Sequence, residues 1–146
     1  MKKQAYTMIG LVVLVGSMAV AAQAQNNSRT RMANIPFEFS AGNKDLPAGQ
    51  YEVIEVNPAS QPVALRLRSK DGSASVLLQM NAVVGRTRES AKLTFRRYGN
   101  HYFLAQAWAD GETTGLQAPK SHYERAIERE LAAIKPSTVT IALGRR

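Results

Sequence analysis

Cysteine is missing from the chain of 146 residues. Its absence removes disulfides, thiolate metal sites, a cysteine nucleophile and a lipid-modified N-terminal cysteine, and it leaves the core alone to hold the fold. Histidine is scarce, with only His101 and His122. A nucleophile–histidine–acid triad needs one of them beside a hydroxyl and a carboxylate. Ser121 adjoins His122, but it stands three residues before Glu124, the spacing of a helix cap. Transition metals therefore lack ligands. A calcium site needs clustered acids, and Asp110-Gly111-Glu112 reads instead as a turn. Glu52 and Glu55 fall on opposite faces of a strand, while Glu124, Glu128 and Glu130 read as spread over a charged helix surface. No glycine-rich loop joins a strand to a helix as phosphate binding requires. The expectation is a protein with no cofactor, no metal and no enzymatic activity.

Long apolar runs are also scarce. The main one spans residues 8–22, follows Lys2 and Lys3, and leaves through Ala22-Gln23-Ala24. A basic start, an apolar middle and a small-residue exit make a secretory leader, cut between Ala24 and Gln25. Residues 9–22 are too few for a membrane span, which takes ~20, and no later segment is apolar enough to form one. The expected organisation is a signal peptide over 1–24, a flexible leader over 25–33 and a single β-rich domain over 34–146. The location implied is periplasmic or secreted. Acids are fewer than bases, 11 against 19, for a net charge of +8 that becomes +6 once Lys2 and Lys3 leave. Such a surplus can mean an anionic partner, but more often it is a solubility feature. Internal repeats and low-complexity tracts are absent.

What is present is alternation. Residues 34–39 alternate as Ile35, Phe37 and Phe39 against Glu38, a strand with Pro36 near its start. Residues 51–56 are apolar on both faces, as in a central strand. Residues 63–69 and 74–80 flank Asp71-Gly72, a strong hairpin signal. Pairing outward from that turn sets Leu67 opposite Val76, Leu65 opposite Leu78 and Val63 opposite Met80, all on one face. A one-residue slip mixes the faces, so the pattern selects this register. Residues 92–98 and 101–108 surround Gly99-Asn100 in a second hairpin, with Phe95 opposite Leu104 and Leu93 opposite Gln106. Its core face is read as Leu93, Phe95, Leu104 and Trp108, and Arg97 is placed to stack on Tyr102. Phe103, on the other face, is too apolar to be wet and needs a cover. Residues 110–120 read as a loop. Beyond it, Tyr123, Ile127, Leu131 and Ile134 share one side of a helix that ends before Pro136. A last strand covers 138–143. The fold class expected is mainly β: an antiparallel sandwich or partly closed barrel of about seven strands, with one amphipathic helix near the C-terminus.

The segments Ile35-Pro-Phe-Glu-Phe39, Leu46-Pro-Ala-Gly-Gln-Tyr51, Leu93-Thr-Phe-Arg-Arg-Tyr-Gly99, Tyr102-Phe-Leu104 and Pro119-Lys-Ser121 resemble a family of small exported bacterial proteins of uncharacterised role. The likeness covers nearly all of the chain after the leader. Its motifs are strand starts, turns and a helix cap, so it implies export and a β-rich fold with a Glu/Arg-rich helix, and it carries no activity.

Arg66 and Arg68 share the outer face of one hairpin, Arg96 and Arg97 straddle the faces of the other, and Arg86 and Arg88 lie in the loop between. If the hairpins are neighbours, these six form a patch for an acidic polymer or another cell-envelope component. The competing reading is a solvated outer face whose arginine stems cover apolar surface. Nucleic acid is not expected, since no basic and aromatic platform is interleaved. The function expected is that of an exported, non-catalytic protein binding an envelope or extracellular macromolecule. The alternative is a small-ligand or lipid carrier with a barrel cavity.

Overall fold

The computed structural model describes residues 30–145. The signal peptide over 1–24, its cleavage site at Ala24 and Gln25, and residues 25–29 lie outside the described residues. The elements run β1 (Thr30–Ile35), β2 (Phe39–Ala41), β3 (Lys44–Leu46), β4 (Gly49–Val56), β5 (Val63–Ser69), β6 (Ser75–Val84), β7 (Lys92–Tyr98), β8 (His101–Trp108), β9 (Thr114–Gln117), α1 (His122–Glu130) and β10 (Ser137–Arg145). Residues 30–33, expected in the leader, belong to β1 and pair antiparallel with β10, Ala33 opposite Leu143. The polar character of this stretch hides a strand whose buried residue, Ala33, is small. The strand expected over 34–39 is broken at Pro36, with β1 before it and β2 after.

Eight strands close into an antiparallel barrel in the order β8-β7-β10-β1-β4-β5-β6-β9, with β9 returning to β8. Of the two architectures that the sequence allows, sandwich and barrel, the chain adopts the barrel. A ring of eight leaves an interior that side chains can just fill. Here Phe39 lies edge-on to Tyr51 and to Phe95, at 5.3 and 5.4 Å between ring centres. Leu65, Leu67, Met80, Leu93 and Leu104 complete the filling, all essentially sealed from water.

The β5–β6 hairpin adopts the register expected from its pattern, with Val63, Leu65 and Leu67 opposite Met80, Leu78 and Val76. Its turn is held by Asp71. The hydroxyl of Ser69 donates to the carboxylate at 2.7 Å, and the amide and hydroxyl of Ser73 donate at 3.0 and 2.8 Å. Gly72 supplies the positive φ that the turn needs.

The β7–β8 hairpin follows its expected pairing only near the turn. Phe95 does oppose Leu104, but a bulge then intervenes and Leu93 meets Ala107 instead of Gln106. An extra residue in β8 reverses the side-chain alternation beyond it. Ala107 joins the core, and Trp108, expected inside, lies on the outer wall. Its ring covers Gly115 and Gly85, where an added Cβ would come within 2.6 and 2.5 Å of the indole.

Gly115 belongs to β9, within the stretch 110–120 that the sequence predicts as a loop. Thr-Gly-Leu-Gln has neither length nor alternation enough to announce a strand, yet it completes the ring. It pairs with β6 over four residues, Asn81 to Val84 opposite Gln117 to Thr114, and with β8 at Gln106 and Ala107. The earlier part of the same β8 edge is taken by β2, which runs parallel to it with Ser40 at Phe103. Helix α1 covers the outer face of β7 and β8, as the apolar Phe103 requires. Tyr98, Phe103 and Ile127 form a second small core there, with Leu131 at its margin.

Gly115→Ala is expected to cost about 1–3 kcal/mol, because the new methyl overpacks against the indole. Trp108 is the only tryptophan, so displacement of its ring shows directly as a red shift in emission. The Asp71 carboxyl is held down at about 2, first by the Ser69 hydroxyl and then by the Ser73 amide and hydroxyl. A carboxyl depressed on folding stabilises the fold above its unfolded pKa of ~3.9, and that contribution is lost as pH falls toward 2. Urea midpoints measured between pH 5 and pH 2 should therefore fall more steeply for the native chain than for Asp71→Ala.

Candidate functional site

The strand β5 reads Val-Ala-Leu-Arg-Leu-Arg-Ser, and its period of two sends Val63, Leu65 and Leu67 inward and Arg66 and Arg68 out to solvent. Arg66 sits between Ile54 on β4 and Leu77 on β6, and Arg68 sits between Glu52 and Ser75. Leu77 is 61% exposed. Across β6 from the arginines, the Lys44 amine reaches the carbonyl of Ser75 at 2.7 Å. Three cations thus share a stretch of wall with Ile54, Leu77 and one acid, Glu52. Arg31 and Arg145 pair with Asp110, Arg96 with Glu124 and Lys120 with Glu128, all away from this wall.

The other four arginines are placed differently. Arg96 lies under the helix, its Nε and Nη2 donating to the Glu124 carboxylate at 2.5 and 3.0 Å. Glu124 is 2% exposed and also accepts from the Tyr98 hydroxyl at 3.1 Å. Burial, and then the Glu124 charge, push that hydroxyl above its usual range. The charged pattern of the helix predicts a solvated Glu124, and the structure corrects this. Its amide does bond the Ser121 hydroxyl at 3.0 Å as a cap, but its carboxylate turns to the barrel. Arg97 donates to the Gly99 carbonyl and stacks over Tyr102 at 5.3 Å, the contact its register predicts. Arg88 lies over the Trp108 ring at 4.6 Å. Arg86 is exposed beyond the far end of β6, and the strand from Leu77 to Val84 already spans ~23 Å at ~3.3 Å per residue.

These six arginines do not make one surface. In the ring, β5 and β7 are four strands apart by either route, so Arg66 and Arg68 look out from the wall opposite Arg96 and Arg97. The condition that the two hairpins be neighbours is not met, since β9 separates β6 from β8. Only the pair on β5 remains as an outward cationic feature. It is joined by Lys44, which the sequence does not single out because it stands in a turn-rich stretch without a period.

The residues weighed for chemistry are also in place. His122 is exposed at the helix start, and His101 meets the edge of Tyr123 at 6.4 Å between ring centres. Asp110 leads into a turn at Gly111, where φ is positive. Its own backbone amide, and then Arg31, hold its carboxyl below the usual carboxylate range. Among the described residues no group of three or more acids and histidines is arranged to hold a metal ion. Clefts open on the surface, one of about 450 Å³ between Gly42-Asn43-Lys44 and the stretch Val76 to Gln79 of β6. Another, of about 750 Å³, lies by Met32, Gln50, Lys70 and Arg145.

No protein-family model matches the chain, and neither a curated protein nor a solved structure matches it.

The Arg96 and Glu124 pair yields a stability test. Removing one partner strands a charge that is 2% exposed, so Arg96→Ala should cost about 3–5 kcal/mol. Tyr98→Phe removes a single hydrogen bond to a charged group and should cost about 1–3 kcal/mol. Denaturant titration of the two variants distinguishes them, and equal effects would show that the ion pair does not pin the helix.

Proposed function

We propose that the chain is an exported, non-catalytic binding protein whose partner is an anionic macromolecule of the cell envelope or extracellular space. The observation that carries this reading is the exposed pair Arg66 and Arg68, with Lys44 across β6. The two arginines are two residues apart on one face, which sets their Cα atoms ~7 Å apart. Side chains so placed present a fixed cationic spacing on a wall that cannot flex independently of the ring.

Export is supported by Lys2, Lys3, the apolar run and the Ala22-Gln23-Ala24 exit, together with the resemblance to small exported bacterial proteins. The non-catalytic part is supported by how the polar groups are used. The Ser121 hydroxyl caps a helix, the Glu124 carboxylate holds Arg96, and the Asp110 carboxylate holds Arg31. Among the described residues no helix is long and apolar enough to cross a membrane.

A second reading, a carrier of a small apolar ligand, is favoured by the closed ring of eight, an architecture compatible with an internal ligand. It requires Phe39, Tyr51 and Phe95 to leave the axis that they occupy, at the cost of their mutual edge contacts.

The test of the first reading is retention on an immobilised acidic polysaccharide. The chain should bind at low ionic strength and elute as salt rises through about 0.1–0.3 M, where the Debye length falls below ~10 Å. The double variant Arg66→Ser with Arg68→Ser should elute earlier with an unchanged thermal transition. Identical elution of the two proteins would remove the β5 wall from this reading.

A further inference from the structure

Among the described residues, the edge of β6 away from β5 is paired over four of its ten residues. The bond from the Ser69 amide to the Ala74 carbonyl and the register beyond it direct the backbone groups of Val76, Leu78 and Met80 toward β5. Successive residues of a strand address opposite edges, so Ser75, Leu77 and Gln79 turn their amides and carbonyls the other way. From Asn81 onward that second edge is covered by β9. Before Asn81 no strand of the described residues covers it.

The reason lies at Pro119. Continuing the antiparallel register of Asn81 opposite Gln117 would set residue 119 against Gln79. Proline has no amide to offer, and the Ala118 amide has already turned away to the Ala105 carbonyl at 2.8 Å. The chain then leaves for the helix. The vacated lane is the 450 Å³ cleft, bounded by Gly42-Asn43-Lys44 on one side, Val76 to Gln79 on the other, and Ala118-Pro119 at its end. The Lys44 amine, bonded to the Ser75 carbonyl, lies across its mouth. A lysine at an open edge is a common guard against unwanted strand pairing.

We propose that this lane receives an extended acidic peptide segment of a partner protein, which adds to β6 as a strand in line with β9 and bonds the backbone of Leu77 and Gln79. This inference rests on the binding reading above and names the partner class. Strand addition takes its affinity from main-chain bonds and its selectivity from alternate side chains. Residues opposite Val76 and Leu78 face the barrel and are apolar. Residues opposite Ser75, Leu77 and Gln79 face outward. There Arg68 stands one strand away, opposite Ser75, with Arg66 beside Leu77 and Lys44 at the rim, so carboxylates are favoured. The same charges disfavour the two occupants nearest to hand. A second copy paired edge to edge would bring Lys44, Arg66 and Arg68 against their own counterparts, and residues 25–31 of this chain carry Arg29 and Arg31.

The experiment uses the purified chain with a labelled synthetic peptide of alternating valine and glutamate, about eight residues long. Binding is followed by fluorescence anisotropy, and amide exchange is followed at Leu77 and Gln79. The glutamate peptide should bind and slow exchange at both amides at least tenfold, and a valine–lysine peptide of equal length should not bind. Leu77→Pro removes an amide that the barrel does not use and should weaken binding at least tenfold. Should that variant fail to fold, Arg68→Glu with Lys44→Glu, both exposed, should give the same loss. Binding without protection of Leu77 and Gln79, or equal binding of the lysine peptide, overturns the proposal. So does sedimentation as a dimer whose contact protects those amides. Acidic polysaccharide binding by the native chain, with no binding of the glutamate peptide to that chain, overturns this inference and leaves the anionic-partner reading intact. Loss of both ends both.

Discussion

Closing a small barrel requires its first and last strands to meet, and in this chain the difficult edge is the outer one of β8. No single strand covers it. The parallel strand β2 takes the part near Phe103, and β9 takes the part at Gln106 and Ala107. The bulge within β8 lies between these two contacts, where the strand bends from one partner to the other. Much of the remaining structure answers to that seam. Trp108 turns outward because the bulge adds one residue, Gly115 is bare because the indole needs its space, and the loop over 85–91 returns to cover the ring with Arg88. The amides of Gly85 and Gly111 and the carbonyls of Thr113 and Arg88 tie that loop to the turn beyond β8.

The same division of labour shapes the surface. The hairpin β7–β8 has apolar residues on both faces, so its outer face must be covered, and α1 is brought there by Ile127 and locked by the buried carboxylate of Glu124. Covering that wall consumes Arg96. Covering Trp108 engages Arg88. The wall of β5 carries no such cover, because Leu65 and Leu67 already satisfy its only apolar face, and Arg66 and Arg68 are left standing in water. What the surface offers a partner is thus the remainder after internal needs are met. Pro119 acts in the same way: it releases the chain from β6 toward the helix and leaves a length of edge open.

Several features are legible in the amino-acid order alone. The β5–β6 register can be read because the turn, the alternation and the direction of each side chain are all set within about fifteen residues of sequence. The helix, its cap at Ser121 and the need to cover Phe103 are legible for the same reason. The strands β1 and β9 are not. Thr30 to Ile35 is half polar and shows its buried face only through Ala33 and Ile35, and Thr114 to Gln117 is four residues with a glycine among them. Their strand character is imposed by the partners waiting on either side. The position of Trp108 escapes sequence reasoning because a bulge has no local signature when the extra residue is an alanine between an apolar and a polar neighbour. Of the candidate site, the outward pair on β5 is legible, while the separation of the six arginines is not.

By itself, then, the sequence determined which residues face each other across a tight turn, which faces are apolar, and where the helix begins, although it placed the helix end before Pro136 and the helix stops at Glu130. Those properties depend on backbone stereochemistry and on neighbours a few residues away. Tertiary structure alone decided the order of strands around the ring, and with it that Arg66 and Arg68 look away from Arg96 and Arg97. It also decided that Glu124 is buried and that, among the described residues, β9 covers only part of the β6 edge. Each of these is a contact between segments far apart in the chain, selected by the closure of the whole barrel, and no local pattern contains it.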